Sequence, residues 1–363
     1  MIKGIDTPAL VVDLDKMDHH LNRMMTIAKK KKVKLRPHTK THKSPEIALL
    51  QLERGATGIT VATLGEAEVM RKHGITNILI AYPIIGETKL TRLKALAKNT
   101  DVTISLDSFD VAEGINTVGE ELGKKMPIYL EIDTGYGRCG LPIEEDLFKL
   151  ADQLKQLAHI EIVGVMTHPG HSYKVNTTVK LHEISRNEAE KLVEAKLTLN
   201  EQFGFNIREV SIGSTPTSLD ETLYEGVTEM RPGTYIFNDA TLTSLGLIEE
   251  NDCALTVYAT VVSTPSPNHF IVDAGSKTLT SDKGAFTKGY GFIKGSDDVW
   301  VSWLSEEHGV VELQGNKDYK IGDQLEIIPN HVCPAVNLAD ELIGIRNGEI
   351  ERIISIDARG KNK

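Results

Sequence analysis

The feature that most constrains the fold of this 363-residue chain is a regular alternation of short β-branched runs with longer segments of helical period. The runs lie at 33–35, 59–62, 78–81, 102–106, 128–132, 160–166, 210–212 and 228–230. Segments between them, such as 66–73, 90–98, 145–157 and 183–203, carry apolar residues three and four positions apart, as amphipathic helices do. Strands that alternate with helices predict βαβ units and a parallel sheet.

The number of repeats indicates which parallel architecture the chain adopts. About eight repeats of strand and helix in about 200 residues are typical of a (β/α)8 TIM barrel. A doubly wound open sheet is the alternative, and it is disfavoured because no Gly-x-Gly-x-x-Gly turn opens an early helix. The sequence therefore predicts an α/β fold with an N-terminal TIM barrel.

A second domain is predicted from a change of pattern after about residue 246. The segments that follow are β-rich, have an alternating period and are separated by turn residues, and they lie at 255–262, 270–272, 310–313, 324–328 and 349–356. We therefore predict a barrel domain at 9–245 and a C-terminal all-β domain at 246–363. Residues 1–8 are expected to pack on one of the two, and the β domain is one candidate.

Composition argues against two classes of partner. The formal net charge is −10, whereas nucleic-acid binding needs a positive field over a broad surface. No apolar stretch approaches the roughly 20 residues that span a bilayer, and residues 1–6 lack the apolar segment of a signal peptide. We expect a cytoplasmic protein that binds neither nucleic acid nor membranes. Cys139, Cys253 and Cys333 are odd in number and widely spaced, so a disulfide framework is not expected.

The segment 35–43, which reads Leu-Arg-Pro-His-Thr-Lys-Thr-His-Lys, directly follows the first predicted strand. Its proline fixes a bend, and a lysine such as Lys40 at a strand end can form a Schiff base when its surroundings lower its pKa. The simplest alternative is a solvated basic loop, because five lysines lie within 29–34. The positions of the other motifs favour the first interpretation.

Other unusual segments also follow predicted strands. They lie at 133–140, 167–173, 213–216 and 231–235. In a TIM barrel the loops after the carboxyl ends of the strands form the active site, while the opposite face serves stability. Since these segments would all meet on one rim, the sequence predicts a functional site there.

Two of these turns predict a phosphate site. Gly213, Ser214 and Thr215 offer backbone N–H groups and hydroxyls at a helix start, and residues 233–235 offer another set on the adjacent strand. Barrels often bind phosphate with backbone amides near strands seven and eight. Either turn alone is ordinary loop chemistry. Together with Lys40 they indicate a phosphorylated cofactor with an aldehyde, which is pyridoxal 5′-phosphate.

A separate signal comes from His331 and Cys333, which lie between Pro329 and Pro334. If the strand that ends near residue 328 stays extended, residues two apart project to one side and can share a metal. A mixed nitrogen and sulfur pair favours zinc, although manganese and magnesium remain possible. The simplest alternative is a buried cysteine beside a hydrogen-bonded histidine.

Taken together, these motifs resemble one family. The segments Arg-Pro-His-x-Lys-Thr-His-Lys, Asp-x-Gly-x-x-Arg-x-Gly, Gly-Ser-Thr, Arg-Pro-Gly-x-Tyr and His-x-Cys look like those of the D-threonine aldolase and D-serine dehydratase group. That group belongs to the alanine-racemase-like, fold-type III pyridoxal phosphate enzymes. The resemblance covers residues 6–337 approximately. It implies an N-terminal barrel, a C-terminal β domain, a homodimer, and Lys40 as the lysine that carries the cofactor.

The resemblance also implies roles for single residues. Arg138 resembles the arginine that hydrogen-bonds the phenolic oxygen of the cofactor, and Arg231 resembles the arginine that faces the pyridine nitrogen in alanine racemases. Tyr173 looks like the tyrosine near the ring in the dehydratases, so Lys40 and Tyr173 are the catalytic candidates. The phosphate-binding turns correspond to Gly213, Ser214, Thr215, Gly233 and Tyr235, and the metal ligands to His331 and Cys333.

The activity that the resemblance implies is a lyase for β-hydroxy D-amino acids, by dehydration or by retro-aldol cleavage. The His-x-Cys pair and the loop at 170–173 are closer to the dehydratases, because well-studied aldolases carry His-x-Asp, whereas Arg231 is racemase-like. One alternative is an amino-acid racemase, which needs a second base and no metal. Another is a cofactor-binding protein without catalysis, although such a module needs neither the β domain nor the metal pair.

Overall fold

The computed structural model describes residues 4–222, 225–296, 298–313 and 318–363. The chain opens with strand β1 (Ala9–Asp13) and helix α1 (Leu14–Lys31). Eight parallel strands then form one sheet. They are β2 (Lys34–Leu35), β3 (Ile59–Val61), β4 (Asn77–Ile80), β5 (Asp101–Leu106), β6 (Met126–Glu131), β7 (Ile160–Met166), β8 (Glu209–Ile212) and β9 (Glu229–Met230). Each predicted run overlaps one of these strands, so the parallel α/β prediction is confirmed.

Helices cover the outside of this sheet. They are α2 (Pro45–Glu53), α3 (Leu64–Lys72), α4 (Glu87–Ala97), α5 (Phe109–Leu122), α6 (Glu145–Leu154), α7 (Thr178–Phe203) and the short α8 (Thr215–Leu219). The strands are apolar on both faces because side chains of neighbouring strands fill the interior while the helices cover the exterior. Ile59, Ile104, Ile128 and Val165 are accordingly fully buried.

The two end strands of the sheet meet where the chain continues beyond β2 and runs alongside β3. The strand order is β2-β9-β8-β7-β6-β5-β4-β3, and a parallel bridge joins His38 to Thr60. The Thr60 N–H donates to the Pro37 carbonyl over 2.8 Å. The segment that carries Lys40 therefore lies where the ends of the sheet meet.

The second sheet has nine strands and is mainly antiparallel. Its order is β11-β14-β13-β12-β15-β10-β1-β16-β17, and an additional pairing of β11 with β10 closes part of it into a barrel. Besides β1, these strands are β10 (Leu255–Ser266), β11 (His269–Val272), β12 (Gly291–Ile293), β13 (Val299–Leu304), β14 (Gly309–Leu313), β15 (Gln324–Pro329), β16 (Glu341–Arg346) and β17 (Glu349–Ser355). Short helices α9 (Ala240–Ser244), α10 (Ser276–Leu279) and α11 (Val332–Leu338) connect the parts.

The N-terminal strand joins the second sheet. β1 pairs antiparallel with β10 and parallel with β16, whereas the predicted boundary at residue 9 assigned it to the barrel domain. Residues 1–3 lie outside the described residues. β1 thus lies in the segment predicted as the barrel domain but pairs with strands of the second sheet. The boundaries 9–245 and 246–363 stay a prediction.

The lysine-rich stretch is not a loop. Lys29, Lys30 and Lys31 form the last turn of α1, and Lys32 ends the helix in a left-handed conformation with φ 57°. Cations at this end interact favourably with the helix dipole. No helix in the described part of the chain is long and apolar enough to cross a membrane.

Candidate active site

A cavity of about 330 Å³ lies at the carboxyl ends of the parallel strands. Eight of the predicted site residues line it, namely Lys40, Arg138, Tyr173, Gly213, Ser214, Thr215, Arg231 and Gly233. The lining also includes His38, Glu131, His168 and Thr234, which were not among the predicted site residues. The predicted rim is therefore a single concave site.

Lys40 lies in a short 3₁₀ helix, Thr39–Thr41, that follows β2. The His38 side chain accepts a hydrogen bond from the Lys40 backbone N–H. Burial lowers the pKa of the Lys40 amine; Cys333 opposes this shift, and the cationic Arg138 adds to it. Within the described residues no hydrogen bond or ion pair engages Lys40 Nζ. The amine is therefore available to a carbonyl compound in the cavity.

Lys43, the other lysine of the motif, has a structural role instead. Its Nζ lies 3.1 Å from Glu66 Oε1 and donates to Asn337 Oδ1 over 2.7 Å. Its side chain and that of Glu66 are both buried. A paired and buried amine of this kind cannot also serve as the reactive lysine.

The two predicted phosphate turns meet at one side of the cavity. Ser214 is the N-cap of α8, and Gly213 has φ +117°. The backbone N–H groups of Thr215, Gly233 and Thr234 form no hydrogen bond with another described residue. A Cβ atom on Gly233 would lie only 2.8 Å from Thr41 Oγ1, so glycine is needed there. These free N–H groups fit a phosphate.

Tyr235 is placed beside the cavity and not in its lining. Its hydroxyl accepts a hydrogen bond from Gln51 Nε2 over 3.0 Å, and its backbone N–H donates to Thr215 Oγ1 over 3.2 Å. Through this second hydrogen bond, Tyr235 supports the phosphate turn at 213–215. This geometry does not place the Tyr235 side chain in contact with a phosphate in the cavity.

Two arginines line the cavity in different surroundings. Arg138 Nη2 lies 3.6 Å from Glu131 Oε1, and the Arg138 side chain is about half exposed. Burial raises the pKa of the Glu131 carboxyl, while Arg138 and Arg231 oppose the shift. Arg231 is buried and donates to Ser211 Oγ and to the Thr167 carbonyl. Glu131 ends an otherwise apolar strand, a sequence signal that could have identified it.

His38 and His168 are the other functional candidates that the sequence reasoning left unassigned. Burial lowers the pKa of both imidazoles well below the usual value, and the neighbouring Lys40 amine lowers it further. Both rings are therefore neutral at physiological pH. A neutral ring can pack against a cofactor and accept or donate a hydrogen bond, but it adds no charge to this already cationic cavity.

Tyr173 lies in the 3₁₀ helix Gly170–Lys174 that follows β7. Burial raises the pKa of its phenol, while hydrogen bonds with Thr234 and Thr215 oppose this effect. The hydroxyl therefore lies against the two phosphate turns. The aromatic ring packs with the apolar cluster around Ala240 and Ile328, which joins the barrel rim to the second sheet.

The extended geometry predicted for this pair is found at His331 but is wrong for Cys333, which lies in a helix. β15 ends at Pro329, and α11 begins at Val332 with His331 as its N-cap. Pro334 stands in the first turn of this helix, where its missing N–H costs nothing. The helical turn still brings the imidazole of His331 and the sulfur of Cys333 close enough for each to shift the pKa of the other.

The surroundings of this pair suit a metal. Cys333 Sγ lies 3.2 Å from Thr41 Oγ1, and His331 Nδ1 lies 2.9 Å from Asp282 Oδ2. A carboxylate on one ring nitrogen fixes the tautomer so that the other nitrogen can bind a cation. Although burial opposes both shifts, the mutual attraction raises the pKa of His331 to about 10 and lowers that of the Cys333 thiol. The described residues contain no cluster of three or more His, Cys, Asp or Glu side chains able to hold a metal.

The lining fits pyridoxal 5′-phosphate. Lys40 offers an unpaired amine to the aldehyde, and the turns at 213–215 and 233–234 offer free N–H groups and hydroxyls to the phosphate. Two guanidinium groups, those of Arg138 and Arg231, face the space between them.

Comparison with known proteins agrees with this geometry. Residues 12–241 match the alanine racemase N-terminal domain family, and residues 254–345 match a serine dehydratase domain family. The chain is 33% identical to D-threo-3-hydroxyaspartate dehydratase of Delftia sp. (strain HT23), over 91% of each chain. It is also 32% identical to D-threonine aldolase of Arthrobacter sp, and this match covers 98% of this chain and 93% of the relative.

A solved structure of D-threo-3-hydroxyaspartate dehydratase superposes with a TM-score of 0.90 at 30% identity, covering 97% of each chain. That structure is of a variant in which a cysteine is replaced by alanine, in the metal-free form. The domain matches and full-length similarities together show that this chain belongs to the alanine-racemase-like, fold-type III pyridoxal phosphate enzymes and is a lyase of the D-threonine aldolase and D-serine dehydratase group.

Proposed function

We propose that this lyase acts on a small D-amino acid with a β-hydroxyl group, with the cofactor on Lys40 and a divalent metal on His331 and Cys333. One observation supports the proposal above all. Cys333 Sγ lies 3.2 Å from the hydroxyl of Thr41, the residue next to Lys40. The cofactor lysine and the metal pair, which come from different sheets, would therefore act on one substrate.

Pyridoxal phosphate, when bound, withdraws electrons from the substrate's α-carbon and so weakens the bonds to that carbon. In our proposal Lys40 holds this cofactor and afterwards moves the α-proton, a task that its lowered pKa favours. Arg138 would bind the phenolic oxygen, and Arg231 would lie at the pyridine nitrogen. Ser214, Thr215 and Gly233 would bind the phosphate, and Tyr173 would close that end of the cavity.

The metal we propose is zinc, because one imidazole nitrogen and one thiolate suit it, with manganese and magnesium as the alternatives. Only two protein ligands are proposed, so open positions would remain for water and for the substrate hydroxyl. The metal-free form of the related dehydratase lacks a cysteine side chain. This supports a role for Cys333 as a ligand.

Dehydration is the reaction that we propose first. It converts a β-hydroxy D-amino acid into a 2-oxo acid and ammonia, after loss of the α-proton and of the β-hydroxyl. Retro-aldol cleavage, which gives glycine and an aldehyde, needs the same contacts but removes the hydroxyl proton instead. The cysteine in the metal pair and the 33% identity to a dehydratase support dehydration.

The proposed enzyme is a cytoplasmic homodimer in which the eight parallel strands form a closed (β/α)8 barrel. Large apolar side chains such as Trp303, Ile350 and Ile353 are exposed on the second domain, which supports an interface there. Light scattering after size-exclusion chromatography would measure the mass. A monomer at micromolar concentration would contradict the dimer and leave the reaction untouched.

A product assay tests the function. The protein is incubated with D-threo-3-hydroxyaspartate, D-threonine and D-serine, with zinc or manganese, and with a chelator as the control. We expect 2-oxo acid and ammonia in equal amounts, and loss of both with the chelator. Glycine with an aldehyde would identify an aldolase. Racemised amino acid that forms despite the chelator would overturn the proposal in favour of a racemase.

A further inference from the structure

A line of buried polar side chains runs beneath the cavity from Arg231 towards the opposite end of the parallel sheet. Arg231 Nη1 donates to Ser211 Oγ over 2.5 Å, and Ser211 Oγ donates to Glu229 Oε1 over 2.6 Å. Arg36 Nε donates to Glu229 Oε2 over 2.6 Å and Arg36 Nη1 donates to Asn77 Oδ1. We call Arg231, Ser211, Glu229 and Arg36 the arginine relay.

Strand register places these residues together. Ser211 is paired with Glu229 between β8 and β9, and Lys34 is paired with Glu229 between β2 and β9. Arg36 lies two positions after Lys34, and Arg231 lies two positions after Glu229. Each arginine side chain therefore points to the same side of the sheet as that earlier residue. The relay is therefore a consequence of the parallel pairing.

The direction of each hydrogen bond in the relay is fixed by chemistry. Arg231 and Arg36 have only donors, and the Glu229 carboxylate has only acceptors. The single hydroxyl proton of Ser211 must therefore go to Glu229, which leaves the Ser211 oxygen to accept from Arg231. Ser211 can bridge the two charged groups in one orientation only.

The burial of the relay makes its geometry rigid. Ser211 and Glu229 are fully buried, Arg231 is 4% exposed, and the Arg36 side chain is 11% exposed. A buried charge without partners is costly, so the two guanidinium groups and the carboxylate between them hold each other in place. The second Arg231 bond, from Nη2 to the Thr167 carbonyl over 2.5 Å, fixes the plane of its guanidinium.

We infer that Glu229, acting through Ser211, is a positioning residue that holds the Arg231 guanidinium against the cofactor ring, and that the hydrogen bond from Arg36 fixes the Glu229 carboxylate for this task. The inference rests on the proposed function, in which Arg231 lies at the pyridine nitrogen. It assigns functional roles to Ser211, Glu229 and Arg36, which lie below the cavity and do not line it.

The test uses the full-length protein with pyridoxal phosphate and three variants. Ser211→Ala removes the bridge, and Ser211→Cys fills the same space with a poor hydrogen-bonding group. Ser105→Ala is the matched control, because Ser105 is a fully buried serine of β5 whose hydroxyl has no partner within the described residues. The readouts are the absorption band of the bound cofactor, its change with pH, and the dissociation constant for pyridoxal phosphate.

We expect Ser211→Ala and Ser211→Cys to shift the absorption band or its pH midpoint and to weaken cofactor binding by roughly threefold to tenfold, the range expected for one lost hydrogen bond. Ser105→Ala should keep the wild-type band and affinity. The thermal midpoint of each variant without cofactor separates a general loss of stability from this effect.

Several outcomes would overturn the inference. One is an unchanged band and affinity in Ser211→Ala. Another is wild-type behaviour in Ser211→Cys, which would show that packing and not hydrogen bonding matters. An equal shift in Ser105→Ala would show that the effect is not specific to the relay. A wild-type protein that takes up no pyridoxal phosphate would overturn the proposed function first, and this inference with it.

Discussion

At the scale of single residues, the two lysines of one motif have different tasks although the sequence around them is alike. Lys40 follows a threonine and Lys43 follows a histidine in the same nine-residue segment, 35–43. Only the structure shows that Glu66 pairs with Lys43 while the Lys40 amine opens on the cavity. Sequence could place a reactive lysine here, but the partner that engages Lys43 comes from a helix that the motif does not include.

Replacing Lys40 tests the assignment. Borohydride should fix the cofactor to Lys40 in the wild-type protein, because only an amine at the site can be reduced onto an aldehyde, and mass spectrometry of peptides locates the label. Lys40→Ala should lose the label and the turnover. A label on Lys43 would show that the wrong lysine was chosen. Lys43→Met should retain the label while lowering stability, because it leaves Glu66 buried without its partner.

Arg138 is the second residue to test. If it binds the phenolic oxygen, Arg138→Leu should weaken cofactor binding by about 1.5–3 kcal/mol, the value of a charge-assisted hydrogen bond. Arg208→Leu is a suitable control, since Arg208 is an exposed arginine whose Nη2 lies 3.2 Å from Glu161. Fluorescence titration with pyridoxal phosphate gives both affinities. Equal affinities in the two variants would place Arg138 in a structural pair with Glu131 alone.

At the scale of elements, the local pattern predicted strands whose partners are near in sequence and failed where partners are distant. The parallel strands follow one another at regular intervals, so their period was visible. β1 was missed as part of the second sheet because its partners, β10 and β16, lie more than 240 residues away. The prediction also treated 331–333 as extended, since a proline after Cys333 is compatible with a strand end and with a first helical turn.

The start of α11 carries the next prediction. Cys333→Ala should remove the metal and abolish lyase activity, yet leave the cofactor's absorption band intact, because Lys40 and the phosphate turns belong to the other sheet. Exchange of the substrate α-proton in deuterium oxide should persist, since that step needs only the cofactor and a base. Metal content, absorbance and proton exchange are measured on the same sample.

Cys253→Ala is the control for that experiment. Cys253 is buried in the apolar cluster with Ala240 and Ile328, and its substitution should lower stability without loss of metal. Full lyase activity in metal-free Cys333→Ala would exclude the proposed role of the metal. Loss of the cofactor band would show that the helix start supports the phosphate turns.

At the scale of the whole molecule, the site depends on polar groups that folding buries. Sequence patterns identified the rim and eight of the residues that line the cavity, because Lys40, Arg138 and the glycine turns follow predicted strands. They did not identify Glu131, Glu188 or Glu229, since a carboxylate in a helix or strand is ordinarily solvated and only the assembled sheets bury these three. Buried carboxylates of this kind make the stability of the entire fold depend on pH.

Glu188 in α7 gives the last prediction. Its Oε2 accepts a hydrogen bond from the Gly213 N–H over 3.3 Å, and burial raises its pKa from 4.5 to about 7 although Thr217 and Gly213 oppose the shift. Between about pH 4.5 and pH 7 the folded protein therefore keeps the proton on Glu188, whereas the unfolded chain has released it. The contribution of Glu188 to the free energy of unfolding is fully present below about pH 4.5 and is lost as the pH rises through 7, a change of about 3 kcal/mol.

Glu188→Gln keeps the acceptor and removes the charge. Without cofactor, its thermal midpoint should match the wild type near pH 5 and exceed it by a few degrees at pH 8.5. Glu190→Gln, on the exposed face of the same helix, should follow the wild type at both pH values. Equal midpoints for Glu188→Gln and wild type at pH 8.5 would mean that Glu188 is ionised in the folded protein at no cost.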